Sequence, residues 1–428
     1  MTSRSDLPTL PDELWLDIFS RVLQSSTKFP SSHHRVLILS WVCNRWRSLV
    51  ISETKFWTTF HLFNNRVEMA KRERQEKLVD LCLQRSKLCQ LDVILTDLHR
   101  KPGEGHHLNL PQCFLNQAYR WRSLRLEVAM YAKTLDRFSP LKGLLDCLES
   151  CTIIYKWRKR NISSSPIDSV DFLENAPRLQ TLHLMFSARH SFPTKVPFSK
   201  LIELDLLPDP NFYLQPELMI NEALTVLKWC PNLSRYRLAC YFFTLCNYHS
   251  VSVVTHRNIR RLDVFGSCYI DPRSHGSAII FDFLKLPLLT DLSITSYDLQ
   301  TMSDPLHRSI DRFLDGSQGL LRLELHFPYI ANPLVDLLKY LRLTPKLQHL
   351  FVLIHHTGYS KDKILHRLLE GDDVEPIFAW PPALHRLYFW KMDRNSTFAI
   401  SSTPRWKNTS HSDESYLERR NFIQEAFT

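Results

Sequence analysis

A short pattern, apolar-x-x-apolar-x-apolar, returns along the chain from Trp121 onward. It reads Trp121/Leu124/Leu126, Leu179/Leu182/Leu184 and Leu201/Leu204/Leu206. Further copies stand at Leu233/Tyr236/Leu238, Ile259/Leu262/Val264, Leu289/Leu292/Ile294, Leu320/Leu323/Leu325, Leu347/Leu350/Val352 and Leu384/Leu387/Phe389, with a weaker one at Leu148/Cys151/Ile153. Successive copies are roughly 22 to 37 residues apart, a spacing that brackets the short stacked repeats. The alternation at the end of each copy sends one set of side chains to one face of a strand, and Leu91, Val93 and Leu95 alternate in the same way. A short apolar segment and a proline precede many copies: Phe172-Leu173 before Pro177, Leu227 before Pro231, Phe283-Leu284 before Pro287, Leu338 to Leu341 before Pro345. Proline has no N–H to donate and stops a helix, so each unit reads as helix or turn, stop, strand. No unit can cover both its strand face and its helix face alone; stacked neighbours cover both. The expected fold is therefore α/β, an irregular solenoid over residues 90–392 with parallel strands on a concave side and helices or irregular turns on a convex side. Longer loops are expected at 246–257 and 266–278.

The N-terminal stretch from Leu10 to Trp57 has a different period. Pro11 suits a first helical turn, and Asp12 and Glu13 complement the positive end of a helix dipole. Leu14, Ile18 and Val22 recur every fourth residue, with Trp15, Phe19 and Leu23 beside them. After an insert, SSTKFPSSHH, residues Val36 to Val42 read as a second helix buried on most sides, and Trp46, Leu49 and Val50 share one face of a third, with Phe56 and Trp57 closing the unit. The segment from Asn65 to Ser86 reads as a charged helix linking this module to the repeats.

At Leu10-Pro11, Leu14, Ile18, Val22, Val42-Cys43-Asn44-Arg45-Trp46-Arg47 and Phe56-Trp57 the chain resembles the F-box family. The resemblance implies a three-helix module that docks on the Skp adaptor, and through it on the cullin, of a cullin-RING ubiquitin ligase. It implies adaptor-binding roles for Leu10, Pro11, Leu14, Ile18, Val22, Val42, Trp46 and Leu49. The insert between the first two helices is several residues longer than the usual family loop. The later copies resemble the leucine-rich repeats that often follow an F-box, although they lack the asparagine or cysteine that normally follows the strand leucines. The organisation is thus an F-box over 1–60, a linker helix over 61–89, the solenoid over 90–392, and a polar tail over 393–428 in which 414–427 is a candidate helix.

The chemistry-bearing motifs are sparse. With only 9 glycines in 428 residues there is little material for glycine-rich phosphate loops, and neither a P-loop nor HExxH nor GxSxG occurs. The 10 cysteines form no CxxC pair, so zinc-ligand spacing is missing and reduced, mostly buried thiols are expected. No catalytic, cofactor-binding or metal-binding residues are assigned. No apolar run approaches the roughly 18 residues of a spanning helix, and the three Asn-x-Ser/Thr sites at Asn161, Asn395 and Asn408 are discounted for a chain expected in the cytoplasm or nucleus. The net charge of +10 and the basic run Lys156 to Arg160 raise nucleic acid as a partner. The run reads better as a loop or import signal, and the remaining cations are expected to be intermixed with the 44 acidic residues.

What remains is binding. In each strand the residues between the leucines face away from them. On the C-terminal half these include Arg237, Arg261, Arg322, Glu324, His326, Phe351, Arg386, Tyr388 and Trp390. Arginine with exposed aromatics is the composition of protein-binding hot spots, so these residues are the candidate surface for a protein substrate, and the arginines are compatible with a phosphorylated one. The function expected is that of a non-catalytic substrate receptor of a ubiquitin ligase. The alternatives are an F-box scaffold acting outside ubiquitination and, further off, a basic nucleic-acid-associated protein.

Overall fold

The alternating triplets form strands, and the prolines form the turns that deliver the chain into them. The computed structural model describes residues 10–24, 32–63, 69–97, 111–129, 135–156, 170–186, 195–208, 220–240, 252–266, 279–296, 304–327, 339–354, 383–384, 386–391 and 397–401. The chain divides into two compact units, Met1–Leu182 with Pro193–Pro197, and His183–Phe192 with Phe198–Thr428. The fold is α/β, dominated by parallel strands.

The first unit opens with three helices, α1 (Asp12–Gln24), α2 (Ser32–Val42) and α3 (Asn44–Ser52). Helix α2 begins four residues before the expected Val36, because Ser32 to Arg35 contain no helix breaker and Pro30 lies upstream. The helices are locked by aromatic rings and one arginine. Trp46 packs against Trp15 at 4.8 Å and edge-on to Phe19 at 4.7 Å between centroids. Arg45 donates to the Asp12 carboxylate and the Leu10 carbonyl, both at 2.6 Å, tying the start of α3 to the start of α1. The Cys43 Sγ accepts from the Trp46 N–H as a cap, and Arg47 donates to the Ser40 carbonyl. Fully buried Trp57 donates its indole N–H to the Val50 carbonyl at 2.8 Å.

Strand β1 (Thr59–Phe63) follows at once and was not expected from the sequence. Helix α4 (Met69–Ser86) then buries Val79, Cys82 and Leu83 and lays Arg85 over the Trp57 ring at 4.3 Å. Strands β2 (Leu91–Asp97), β3 (Trp121–Ala129) and β4 (Ser150–Lys156) complete a parallel order β1-β2-β3-β4, with a bulge at Leu91/Asp92. A short helix, α5 (Gln112–Leu115), stands before β3, and its Phe114 stacks between Phe60 and Trp121. The division between the units falls inside β5 (Thr181–Phe186).

In the second unit the parallel order is β6 (Glu203–Pro208), β7 (Arg235–Cys240), β9 (Arg261–Gly266), β11 (Asp291–Ser296), β12 (Arg322–Phe327), β13 (His349–Ile354) and β14 (Arg386–Lys391). Strand β8 (Val254–Thr255), inside the first region expected to be loop, pairs with β10 (Leu284–Lys285), which lies beyond the second, in a separate parallel pair. The strand β15 (Thr397–Ser401) returns antiparallel to β14, within the segment expected to be polar tail. Helices α6 (Ile220–Trp229), α7 (Ile279–Asp282) and α8 (Asp304–Asp315) connect strands. The candidate helix at 414–427, residues 157–160 of the basic run and most of the two expected long loops lie outside the described residues.

The turns before several of the strands share one construction. The N–H of Leu179 donates to the Ala176 carbonyl across Pro177, that of Leu233 to Cys230 across Pro231, that of Leu289 to Leu286 across Pro287, and that of Leu347 to Thr344 across Pro345. Proline at the second position presets such a turn, because its ring fixes φ near the value required. Ser317 and Leu320 close the same turn without proline. One carbonyl after the turn then accepts two N–H groups of the next unit. Ile202 takes those of Ser234 and Arg235, Ser234 those of Arg260 and Arg261, Arg260 those of Thr290 and Asp291, and Thr290 those of Leu321 and Arg322. Side chains brace the same turns, Asn232 donating to the Ser199 carbonyl at 2.8 Å and Asn258 to the Pro231 carbonyl at 2.7 Å.

Inward positions such as Leu292 are almost fully buried, whereas Leu288, in the turn, is 52% exposed. Leu292→Ala is therefore expected to cost about 3 kcal/mol through the cavity it leaves, and Leu288→Ala about 0.5 kcal/mol or less. Urea unfolding of the two variants checks the assignment of faces, and equal losses would contradict it.

Candidate functional site

Two surfaces carry the residues singled out from the sequence. The first lies on the N-terminal helices of the first unit. Because Trp15, Phe19 and Trp46 fill the space between helices, the aliphatic residues of α1 are left outside: Leu10, Leu14 (49% exposed), Ile18 and Val22 form a line at four-residue spacing, with Pro11 exposed beside them. On α2, Ile38, Trp41 (66%) and Val42 (57%) share one face by the same helical geometry. Large apolar side chains grouped like this mark a surface that another protein covers. Of the eight residues assigned to adaptor binding, Leu10, Pro11, Leu14, Ile18, Val22 and Val42 are exposed, while Trp46 and Leu49 are half-buried. Trp46 holds the helices together. Ile38 and Trp41 were not singled out, since a helix apolar at nearly every position gives no hint of which side stays open.

The second surface is the non-leucine face of the strands in the second unit. Register aligns its residues in rows across the sheet. One row runs Glu203, Arg235, Arg261, Asp291, Arg322, His349, Arg386 and the next Asp205, Arg237, Asp263, Ser293, Glu324, Phe351, Tyr388. Cations and carboxylates in these rows are neighbours, and they pair. Arg237 reaches Asp205 at 3.0 Å and Asp263 at 3.4 Å; Arg261 reaches Asp263 at 3.2 Å; Arg235 lies 3.6 Å from Asp263. His183 Nδ1 lies 2.5 Å from Asp205 Oδ2. Arg322 donates to Glu324 at 2.5 Å and lies over the Phe351 ring at 4.7 Å, a cation–π arrangement. Arg386 is exposed and His326 half-buried. Tyr388 and Trp390 occupy the register positions opposite Phe351 and Leu353; their side chains lie outside those described.

The carboxylates of this ladder are deeply enclosed, Asp205 at 3% exposure, Asp263 at 2% and Glu324 at 7%. Burial alone would raise the Asp205 carboxyl, yet the His183 hydrogen bond and the charges of Arg237, His183 and Arg235 hold it below its ordinary value. The arginines thus already have anionic partners, and an incoming phosphate or carboxylate has to compete with them. Arg261–Asp263 and Arg322–Glu324 are two residues apart on one strand, but the two partners of Arg237 are 26 and 32 residues away, a pairing that only the strand register reveals.

The buried thiols of Cys82 and Cys230 are pushed up to about 12 by burial, and that of Cys151 is raised further, so none is a ready nucleophile. Among the described residues no group of three or more His, Cys, Asp and Glu side chains is arranged to hold a metal ion, and no helix is long and apolar enough to cross a membrane. Comparison of the chain with protein-family models and with curated proteins gives no match.

Asp205 has a folded-state pKa below its unfolded one. Its contribution to stability is therefore present above the unfolded carboxylate value, about 3.9, and is lost as pH falls through the lower folded value. Asp205→Asn is expected to destabilise the chain at pH 7 and progressively less toward the acid end. Urea unfolding across that range reads the gap; a gap independent of pH would show that Asp205 takes no part in the acid response.

Proposed function

We propose that this chain is an F-box substrate receptor, docking through its N-terminal helices on the Skp adaptor of a cullin-RING ubiquitin ligase and holding a protein substrate against its parallel-strand unit. The observation that carries the reading is the aliphatic line Leu10, Leu14, Ile18 and Val22, left outside a helical unit in which Trp15, Phe19 and Trp46 pack against one another and Trp41 is also exposed. With Phe19 buried and Trp15 and Trp46 half-buried between the helices, four aliphatic side chains keep 39 to 49% of their surface in water, each favourable to cover by about 1 kcal/mol. An adaptor supplies that cover. Catalysis then belongs to the other subunits, and this chain contributes proximity, bringing an acceptor lysine to the charged conjugating enzyme.

On the strand face, the paired arginines act first as cross-strand braces. The Arg322–Phe351 stack, with Tyr388 beside it in register and Arg386 exposed at the end of its row, is the part best suited to a substrate.

The test is co-purification of the full chain with the adaptor and cullin. Leu14→Asp and Val42→Asp change exposed residues and leave the fold intact; each is expected to weaken adaptor binding by roughly 30-fold or more, the cost of a charged group at an interface centre, about 2 kcal/mol. Cys43, exposed beside Val42, is expected to react with a maleimide in the free chain and to be protected in the complex. Failure of the unmodified chain to recover the adaptor, or recovery unaffected by both substitutions, rejects the proposal. Adaptor without cullin indicates a scaffold outside ubiquitination.

A further inference from the structure

The strand ladder has a counterpart elsewhere in the second unit. Five of the carboxylates with described side chains, Glu203, Asp205, Asp263, Asp291 and Glu324, lie on the strands, Asp282 and Asp311 pair with Arg312 and Lys339 beside the helices, and further cations stand on the turns. Among the described residues of this unit, Asp315 is the only acidic residue that is exposed, whereas Lys200, Lys228, Arg257, Arg260, Lys285 and Lys346 all are. The charges are therefore segregated, against the mixing expected from the sequence.

Hydrogen bonds join these positions into one continuous edge. Asn232 bonds the Ser199 carbonyl beside Lys200, and Asn258, next to Arg257, bonds the Pro231 carbonyl. The Lys228 ammonium reaches the Ser252 hydroxyl at 3.3 Å, and the His256 N–H donates to the Lys285 carbonyl. The cations stand at different offsets within their units, from five residues before the first apolar residue of the copy (Lys228) to one after it (Arg260), so they are spread along the edge rather than stacked in one row. Apolar side chains are interleaved with them: Trp229, whose ring lies 5.5 Å from that of Phe198, is 40% exposed, Val253 follows Ser252, and Leu288 stands three residues beyond Lys285.

We propose that this turn edge docks an acidic protein segment carrying interspersed apolar side chains. An edge with exposed cations and, among the described residues of the unit, a single exposed carboxylate complements an anionic partner, whose apolar residues would cover Trp229, Val253 and Leu288. A nucleic acid matches the charge but not the rest. Its phosphates offer nothing to Val253 and Leu288, and single-strand binders line their grooves with several aromatic platforms, where this edge has Trp229. The edge belongs to the second unit and shares no residue with the N-terminal helices, so its test does not depend on adaptor docking.

The test uses the full chain and three fluorescent probes of about 20 units, at roughly 50 mM and 300 mM salt so that screening separates charge from contact. The probes are a peptide alternating Glu with Leu and Trp, polyglutamate, and single-stranded DNA. The mixed peptide is expected to bind tightest and to weaken about tenfold or more in the variant Lys200→Glu, Arg257→Glu, Arg260→Glu, Lys285→Glu. Trp229→Ala with Leu288→Ala is expected to weaken the mixed peptide several-fold and leave polyglutamate unchanged. A second set with Gln at the four basic positions, matched in thermal unfolding to the unmodified chain, guards against loss through misfolding. DNA or polyglutamate binding as tightly as the mixed peptide, no binding of the peptide at low salt, or peptide binding unchanged in both charge variants would each overturn the proposal.

Discussion

One peptide carbonyl just ahead of a strand, accepting two N–H groups of the following unit, is the contact on which the stack depends. It fixes the register of neighbouring strands before any side chain is considered. A slip of one residue would turn every leucine outward, and it would also separate Arg237 from Asp205 and Asp263. The hydrogen bond therefore underlies both the apolar core and the charge ladder on the opposite face. It constrains only the turn and the strand. What lies between successive strands is free to vary, from the long helix α8 to the four residues of α7, and this explains how the repeat tolerates such uneven spacing.

The N-terminal helices solve a different problem by inverting the usual allocation of side chains. Tryptophan is ordinarily hard to bury completely because of its size and its N–H. Here Trp57 is buried with its N–H satisfied by Val50, and Trp46 is wedged between Trp15 and Phe19. Flat rings and the Arg45 clamp provide the internal rigidity, so the aliphatic residues on α1 are not needed for it.

Much of the strand layout was legible in the sequence, because period-two alternation and a preceding proline are both local signals. Even the weak copy at Leu148, Cys151 and Ile153 forms a strand with all three residues buried. Strand β1 is harder to read from sequence, because its alternation is confined to Phe60 and Leu62 and follows directly on the aromatic pair Phe56 and Trp57 that closes the helical module. The antiparallel β15 was hidden by its polar surroundings. What no local signal carries is cross-strand chemistry. That Arg237 and Arg235 join Arg261 on one aspartate follows from register.

The reversal of direction at β15 also has a meaning for self-association. A parallel stack has no intrinsic stopping point: its last strand offers a complete row of N–H and C=O groups that a strand from any similar chain could extend. Thr397–Ser401 folds back and consumes that row on β14 with the chain's own residues. The last parallel strand is thereby paired from within, and the edge left outermost in the sheet is that of a five-residue antiparallel strand, which does not continue the parallel repeat.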